Sequence, residues 1–178
     1  MALKSTIIKL DLLISDMDRN YYQQHSMTLA QHPSETEQRA ILRTVAFSLF
    51  AHQDLQFTKG LSEDSEPDLW QKNLIDDIEL WIDLGQPDEK RMRKACHKAK
   101  RVIIFSYGDN AAGMWWKSVA EKAKSFNNLA VYHINTEQYQ SLALLLKRQL
   151  ALNATIQDCE LWLSDDSHSL HITPEKWL

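Results

Sequence analysis

Two unbroken apolar runs, "VIIFSY" (102–107) and "LAVYHI" (129–134), constrain this chain more than any other feature in it. A short run of this kind suits a strand buried on both faces. Strand–helix–strand–helix order demands crossover connections, so helices must cover the sheet. The flanking segments supply them. Pro87 and Asp88 open a basic helix whose apolar side is Met92, Ala95, Cys96 and Ala99. Asn110 can cap a helix to about residue 126. Thr136 can cap another to about 149, with Leu142, Leu145 and Leu146 inward.

The first half reads as hairpins. Residues 3–14 alternate, with Thr6, Ile8, Leu10, Leu12 and Ile14 on one side. "SDMDRN" turns the chain, and 21–31 returns as a second strand. In "HPSETEQRAILRTVAFSLFAHQ", Ser34 reads as an N-cap, with Glu37 closing a capping box and Pro33 before it. Leu42, Val45, Ala46, Leu49 and Phe50 form the buried stripe, with Ile41 at its margin. "LQFTKGLS" is a short strand, and the tail from 150 gives two or three more around Gln157-Asp158. These elements predict a single α/β domain over 1–178, built on one mixed β-sheet flanked by helices.

The segment "EPDLWQKNLIDDIELWIDLG" (66–85) reads as two strands around a turn. Folding symmetrically about the 75/76 bond puts Asp68 opposite Asp83, Trp70 opposite Trp81 and Lys72 opposite Glu79. Two opposed carboxylates destabilise a ladder. A cation, a nearby base or water must compensate. Gly85 then permits the turn into the basic helix.

Charge is unevenly spread. Leu61 to Glu89 holds ten acids and one base, Lys72, whereas 90–101, "KRMRKACHKAKR", holds seven bases and no acid. Such poles suit a metal beside a phosphate backbone, or else two solvated faces that neutralise each other. The net charge of −4 argues against a general nucleic-acid coating protein. No stretch of about 18 apolar residues exists to span a membrane. The start, interrupted by Lys9 and Asp11, makes a poor signal peptide. Cys96 and Cys159 set no metal spacing and suit a reduced thiol pair. The expectation is a cytoplasmic chain; its oligomeric state is left open.

No Walker loop, GxGxxG, HExxH or CxxC pair occurs. What remains is the order helix, strand, strand with Pro67-Asp68, strand with Asp83, helix, strand. That order resembles the core of the PD-(D/E)xK nuclease superfamily, restriction-endonuclease-like, here with added hairpins. A more specific resemblance is to the YaeQ family of small bacterial proteins. It rests on "MALKSTIIK", "HPSET", "EPDLW", "LWIDLGQPDEKRMRKAC" and the late "ATIQD…WLSDD", dispersed from residue 1 to about 166. Members of that family look like a variant of the same fold.

The resemblance implies a Mg²⁺-dependent phosphodiesterase acting on nucleic acid. Asp83 and Asp68 would hold the metal with help from Glu35 or Glu66, because hard oxygen ligands suit that ion. The nuclease motif has a Lys two residues beyond the second acid, and Gly85 stands there instead. Lys94 on the following helix is the stand-in, with Lys90 second. Arg39, Arg43 and Arg91 would position phosphate. Several of these residues carry a second reading. Glu35 would favour a helix N-terminus, Arg39 and Arg43 would neutralise Glu66 and Asp83, and Trp70 and Trp81 would be core instead of stacking on bases. The alternative function is a catalytically inactive relative that binds protein or nucleic acid. It predicts Asp83 neutralised by Arg or Lys instead of metal.

Overall fold

The computed structural model describes residues 3–178. In chain order the strands are β1 (Thr6–Asp16), β2 (Tyr21–Gln31), β3 (Leu55–Phe57), β4 (Leu69–Lys72), β5 (Ile78–Leu84), β6 (Ala99–Tyr107), β7 (Leu129–Ile134), β8 (Gln149–Gln157), β9 (Glu160–Ser164), β10 (Ser169–Ile172) and β11 (Glu175–Lys176). The helices are α1 (Glu37–Leu49), α2 (Glu89–Lys98), α3 (Asp109–Ala123) and the short α4 (Thr136–Ser141). None is long and apolar enough to cross a membrane. The chain divides into two compact units. One runs up to Phe50 and resumes over Glu137–Thr173; the other comprises Ala51–Thr136 and Pro174–Leu178.

Two mixed sheets replace the one expected. The first unit holds a five-stranded sheet in the order β10-β9-β8-β1-β2. β1 pairs antiparallel with β2 over all eleven residues, and parallel with β8 from Lys9↔Gln149 to Asp16↔Ile156. With both its edges used by β2 and β8, β1 has none left for β5, β6 or β7, which lie in the other sheet. The alternation read in β1 is real: Ile8, Leu10, Leu12 and Ile14 are buried, while Lys9, Asp11 and Leu13 face outward.

α1 starts two residues later than Ser34 predicts. Thr36 is the cap, its hydroxyl accepting from the Arg39 N–H at 3.2 Å. Ser34 is claimed by a local turn with His32, Oγ to Nδ1 2.6 Å. The buried surface of α1 also wraps wider than a stripe: Ile41 is fully buried, whereas Leu49 and Phe50 are only half-buried. The helix expected from Thr136 to about 149 stops at Ser141, tightens into a 3₁₀ turn over Leu142–Leu145, and yields to β8. The ladder that begins at Lys9↔Gln149 sets that stop.

The second unit holds a six-stranded sheet in the order β11-β7-β6-β5-β4-β3. β5, β6 and β7 are parallel, joined through α2 and α3, and β3–β4–β5 form an antiparallel meander. Both crossovers were legible in the apolar runs. Met92, Ala95 and Cys96 of α2 and Val119 and Ala123 of α3 pack with Trp81, Val102, Ile104 and Val131 in one cluster. Asp88 caps α2 as expected, accepting from the Arg91 N–H at 2.7 Å. α3 instead begins after Gly108, at φ +81°, and Asn110 is exposed in its first turn.

Candidate functional site: an arginine clasp on Asp83

The predicted hairpin register holds for Leu69↔Ile82, Trp70↔Trp81 and Gln71↔Leu80. It fails at the turn end. Asp76 takes a left-handed φ of +70°, a bulge follows Gln71, and Lys72 faces Ile78 instead of Glu79. Glu79 pairs with Lys100 at 2.6 Å, and the Lys72 amine lies 4.1 Å from the Trp70 ring centroid. Trp81 is core and Trp70 half-buried.

At the other end the two aspartates are buried, Asp68 4% and Asp83 2% exposed. The Asp68 N–H donates to the Ile82 carbonyl at 2.9 Å, which carries the ladder one residue beyond β4. Asp68 Oδ2 accepts from the Leu84 N–H at 2.8 Å. The compensating group at Asp83 is a base. Gly85, at φ +106°, turns the chain out of β5 while its N–H donates to Phe105. Pro87 and Asp88 then start α2, whose first turn carries Arg91 back toward the strand. Its Nε donates to Asp83 Oδ2 and its Nη2 to Oδ1, both at 2.8 Å. Nη2 also reaches the Glu66 carbonyl, and Nη1 the Asp64 carbonyl, each at 2.8 Å. Arginine's planar fork matches a carboxylate in this two-pronged way. Burial opposes the Arg91 charge, but the bonds to Asp83 and the fields of Asp83, Asp68 and Asp64 outweigh it and raise the pKa further.

The remaining predicted residues sort by unit. Glu66 contributes its carbonyl to Arg91, while its carboxylate accepts weakly from the Lys59 N–H at 3.4 Å. Lys94 is exposed on α2; the pKa of Glu63 is lowered chiefly by its hydrogen bonds from Ser65, with Lys94 the smallest contributor. Lys94 makes no ion pair with Asp83 among the described residues. Glu35, Arg39 and Arg43 belong to the first unit. There Glu35 is buried, its Oε1 taken by Arg39 Nη1 at 2.9 Å and its Oε2 by Arg43 Nη2 at 2.6 Å. Arg43 Nη2 also donates to the Ala30 carbonyl at 2.8 Å.

Magnesium needs several open oxygen ligands in near-octahedral geometry. Both Asp83 oxygens and both Glu35 oxygens are held by guanidinium groups, and one Asp68 oxygen by a backbone N–H. Among the described residues no three His, Cys, Asp or Glu side chains gather as a metal site. The donor set as folded does not fit the ion.

One constellation escaped the sequence. Ser106 and His133 face each other on β6 and β7, Oγ to Nδ1 3.0 Å, and His133 Nε2 lies 3.1 Å from Asp109 Oδ1. The burial is inverted for nucleophilic catalysis, which needs a reachable hydroxyl: Ser106 is fully buried and Asp109 exposed. It reads as a hydrogen-bonded brace. Only the parallel register could have revealed it.

A family model described as YaeQ protein matches residues 1–174. The YaeQ protein of Escherichia coli (strain K12), described as uncharacterized, is 44% identical over 177 residues, covering 99% of this chain and 98% of the relative. The counterpart from Salmonella typhi is 44% identical over the same span. The crystal structure of a YaeQ protein from Xanthomonas axonopodis pv. citri superposes with a TM-score of 0.94 at 44% identity, covering 97% of this chain and 98% of that one. One from Pseudomonas syringae gives 0.93 at 29% identity, with 98% and 96% covered. With the likeness running through both compact units, the chain belongs to the YaeQ family.

Proposed function

We propose that this chain is a catalytically inactive variant of the PD-(D/E)xK nuclease fold that binds nucleic acid as a regulatory module. The fold relationship is supported by the order α1-β3-β4-β5-α2-β6, with Asp68 entering one strand and Asp83 on its neighbour. The observation that carries the loss of catalysis is the Arg91 clasp: a guanidinium sits on the carboxylate that a divalent ion would need. Nucleic acid is favoured as the partner by α2, where Lys90, Lys94, His97 and Lys98 are exposed along one side. Bases three and four residues apart share a helix face, and such a face attracts a phosphate backbone by displacing counterions.

Fluorescence anisotropy with labelled single- and double-stranded oligonucleotides tests this reading. Binding is expected to persist in EDTA and to weaken steeply with salt. Lys90→Ala, Lys94→Ala and Lys98→Ala together should flatten that salt dependence, the slope falling by roughly 0.9 for each phosphate no longer neutralised. No cleavage is expected with Mg²⁺ or Mn²⁺. Metal-dependent cleavage that Asp83→Asn abolishes would instead establish the phosphodiesterase, with Asp83 and Asp68 at its metal.

A further inference from the structure

The four edge strands of the two sheets are unequal. β3 has three residues, β10 four and β11 two, but β2 has eleven. An edge presents a row of unpaired N–H and C=O groups, a template for another strand. Folded proteins guard such rows by keeping them short, by placing Lys, Pro or inward charges on them, or by bulges. β2 uses none of these. Its sequence, "YYQQHSMTLAQ", has no charged residue, no proline and no glycine, and its register with β1 is unbroken.

Among the described residues, no other strand covers this edge. Beyond the ladder to β1, the only backbone group of β2 that accepts a hydrogen bond among those residues is the Ala30 carbonyl, from Arg43. Accessibility agrees. On the outer face Tyr22, Gln24, Ser26, Thr28 and Ala30 are exposed. On the inner face only Leu29 is buried; His25 and Met27 are half-buried and Gln23 exposed, although His25 meets the Phe47 ring edge-on at 5.0 Å. The core therefore thins toward this edge, with apolar area left over beside the open backbone.

We propose that β2 pairs antiparallel with β2 of a second copy of this chain, joining two five-stranded sheets edge to edge across a twofold axis. A closed symmetric pair uses the same patch twice, so the patch must suit itself. With the axis at Ser26, Gln24 faces Thr28 of the other copy, His25 faces Met27, and Tyr22 faces Ala30. No like charges oppose, and the half-buried His25 and Met27 cover each other on the core side. A partner selected by charge would have left charge on β2, and there is none.

The test is the mass of the intact chain by light scattering and sedimentation, over protomer concentrations up to about 100 µM, because a dimer forms by mass action. Wild type should approach twice its 20.7 kDa. Gln24→Lys with Thr28→Lys changes two exposed side chains, so the fold should persist by circular dichroism while the dimer dissociates. Gln24→Glu with Thr28→Glu should likewise be monomeric. Mixing the two variants should restore a heterodimer, which mere surface damage would not. The N–H groups of Tyr22, Gln24, Ser26 and Thr28, which alternate away from the ladder to β1, should gain hydrogen-exchange protection with concentration. A wild type that stays monomeric throughout this range overturns the proposal. So does a dimer indifferent to the double lysine, since its interface lies elsewhere.

Discussion

The Arg91 guanidinium closes over both carboxylate oxygens of Asp83, eight residues earlier, at 2.8 Å each. The Asp83 side chain is 3% exposed and the arginine 29%, so the pair is sheltered on one side and wet on the other. Arg91→Ala leaves a buried carboxylate without its counter-charge. Removing one partner of a buried pair costs about 3–5 kcal/mol, and the partial exposure of Arg91 points to the lower end. Arg91→Lys keeps the charge but loses the fork, so it should fall between. Urea unfolding at neutral pH, followed by tryptophan fluorescence, should give the order wild type, lysine, alanine. An alanine variant as stable as wild type would mean that the clasp is decorative.

Glu35 sits between two arginines in the other unit, with oxygens at 2.9 Å and 2.6 Å from Arg39 and Arg43. Glu35→Gln removes the negative charge that lies between them. The expected loss is again about 3–5 kcal/mol, because charged groups are left in a desolvated place. Replacing Glu35, Arg39 and Arg43 together by Leu or Met should recover part of it, since a well-packed apolar set avoids the desolvation altogether. A triple variant weaker than the single one would mean that these arginines hold the fold by interactions other than the charge on Glu35.

The hairpin shows how far sequence reaches. Alternation and a symmetric turn sufficed for Trp70↔Trp81, because side-chain period fixes register wherever one face is buried. The same logic failed at the turn, where the bulge after Gln71 moved Lys72 off Glu79. Asp83 and Arg91 both stand out in the sequence, as metal ligand and phosphate grip in one reading; the alternative reading has Asp83 neutralised by an arginine or lysine, as it is, without saying which one. Spacing alone does not say which way a first-turn arginine points after a glycine at positive φ. Pairing between remote segments was least legible: β1 and β8 lie parallel from Lys9↔Gln149, and no local pattern in either names the other.

Asp165 gives a pH signature. Its carboxylate accepts from the Ser167 N–H at 2.8 Å and the His168 N–H at 2.6 Å, with the Lys147 amine at 3.1 Å. The Ser167 bond leads the causes that pull its pKa from 3.8 to about 2. The folded carboxyl thus holds its proton less tightly than the unfolded one. Its contribution is complete above the unfolded pKa and is lost as pH falls through about 2. The melting-temperature gap between wild type and Asp165→Asn should therefore be widest above about pH 4 and narrow toward pH 2. A gap that does not change over that window would contradict the low pKa.

The two cysteines should separate cleanly by reactivity. Cys159 is exposed, while Cys96 is buried in the α2 cluster, and burial pushes its thiol up to about 11. The thiolate is the nucleophile, so a raised pKa and lost access both suppress attack. At about pH 8 a disulfide reagent should consume one equivalent rapidly. Cys159→Ser should then show none until denaturant is added. Rapid labelling of that variant without denaturant would mean that α2 opens readily on its sheet.

Gly85 tests whether the clasp depends on the turn beneath it. Its φ of +106° lies where side chains are rarely tolerated. A Cβ there would meet the Tyr107 hydroxyl at an ordinary 3.6 Å, so crowding is not the obstacle. Any cost of Gly85→Ala must come from the backbone, about 1–3 kcal/mol if the conformation is kept. The chain can relieve that strain only by moving the start of α2, which carries Arg91 away from Asp83. Gly85→Ala and Arg91→Ala should then be less than additive, because the first already weakens what the second removes. A double variant whose loss equals the sum of the two would show that Arg91 reaches Asp83 however the turn is built.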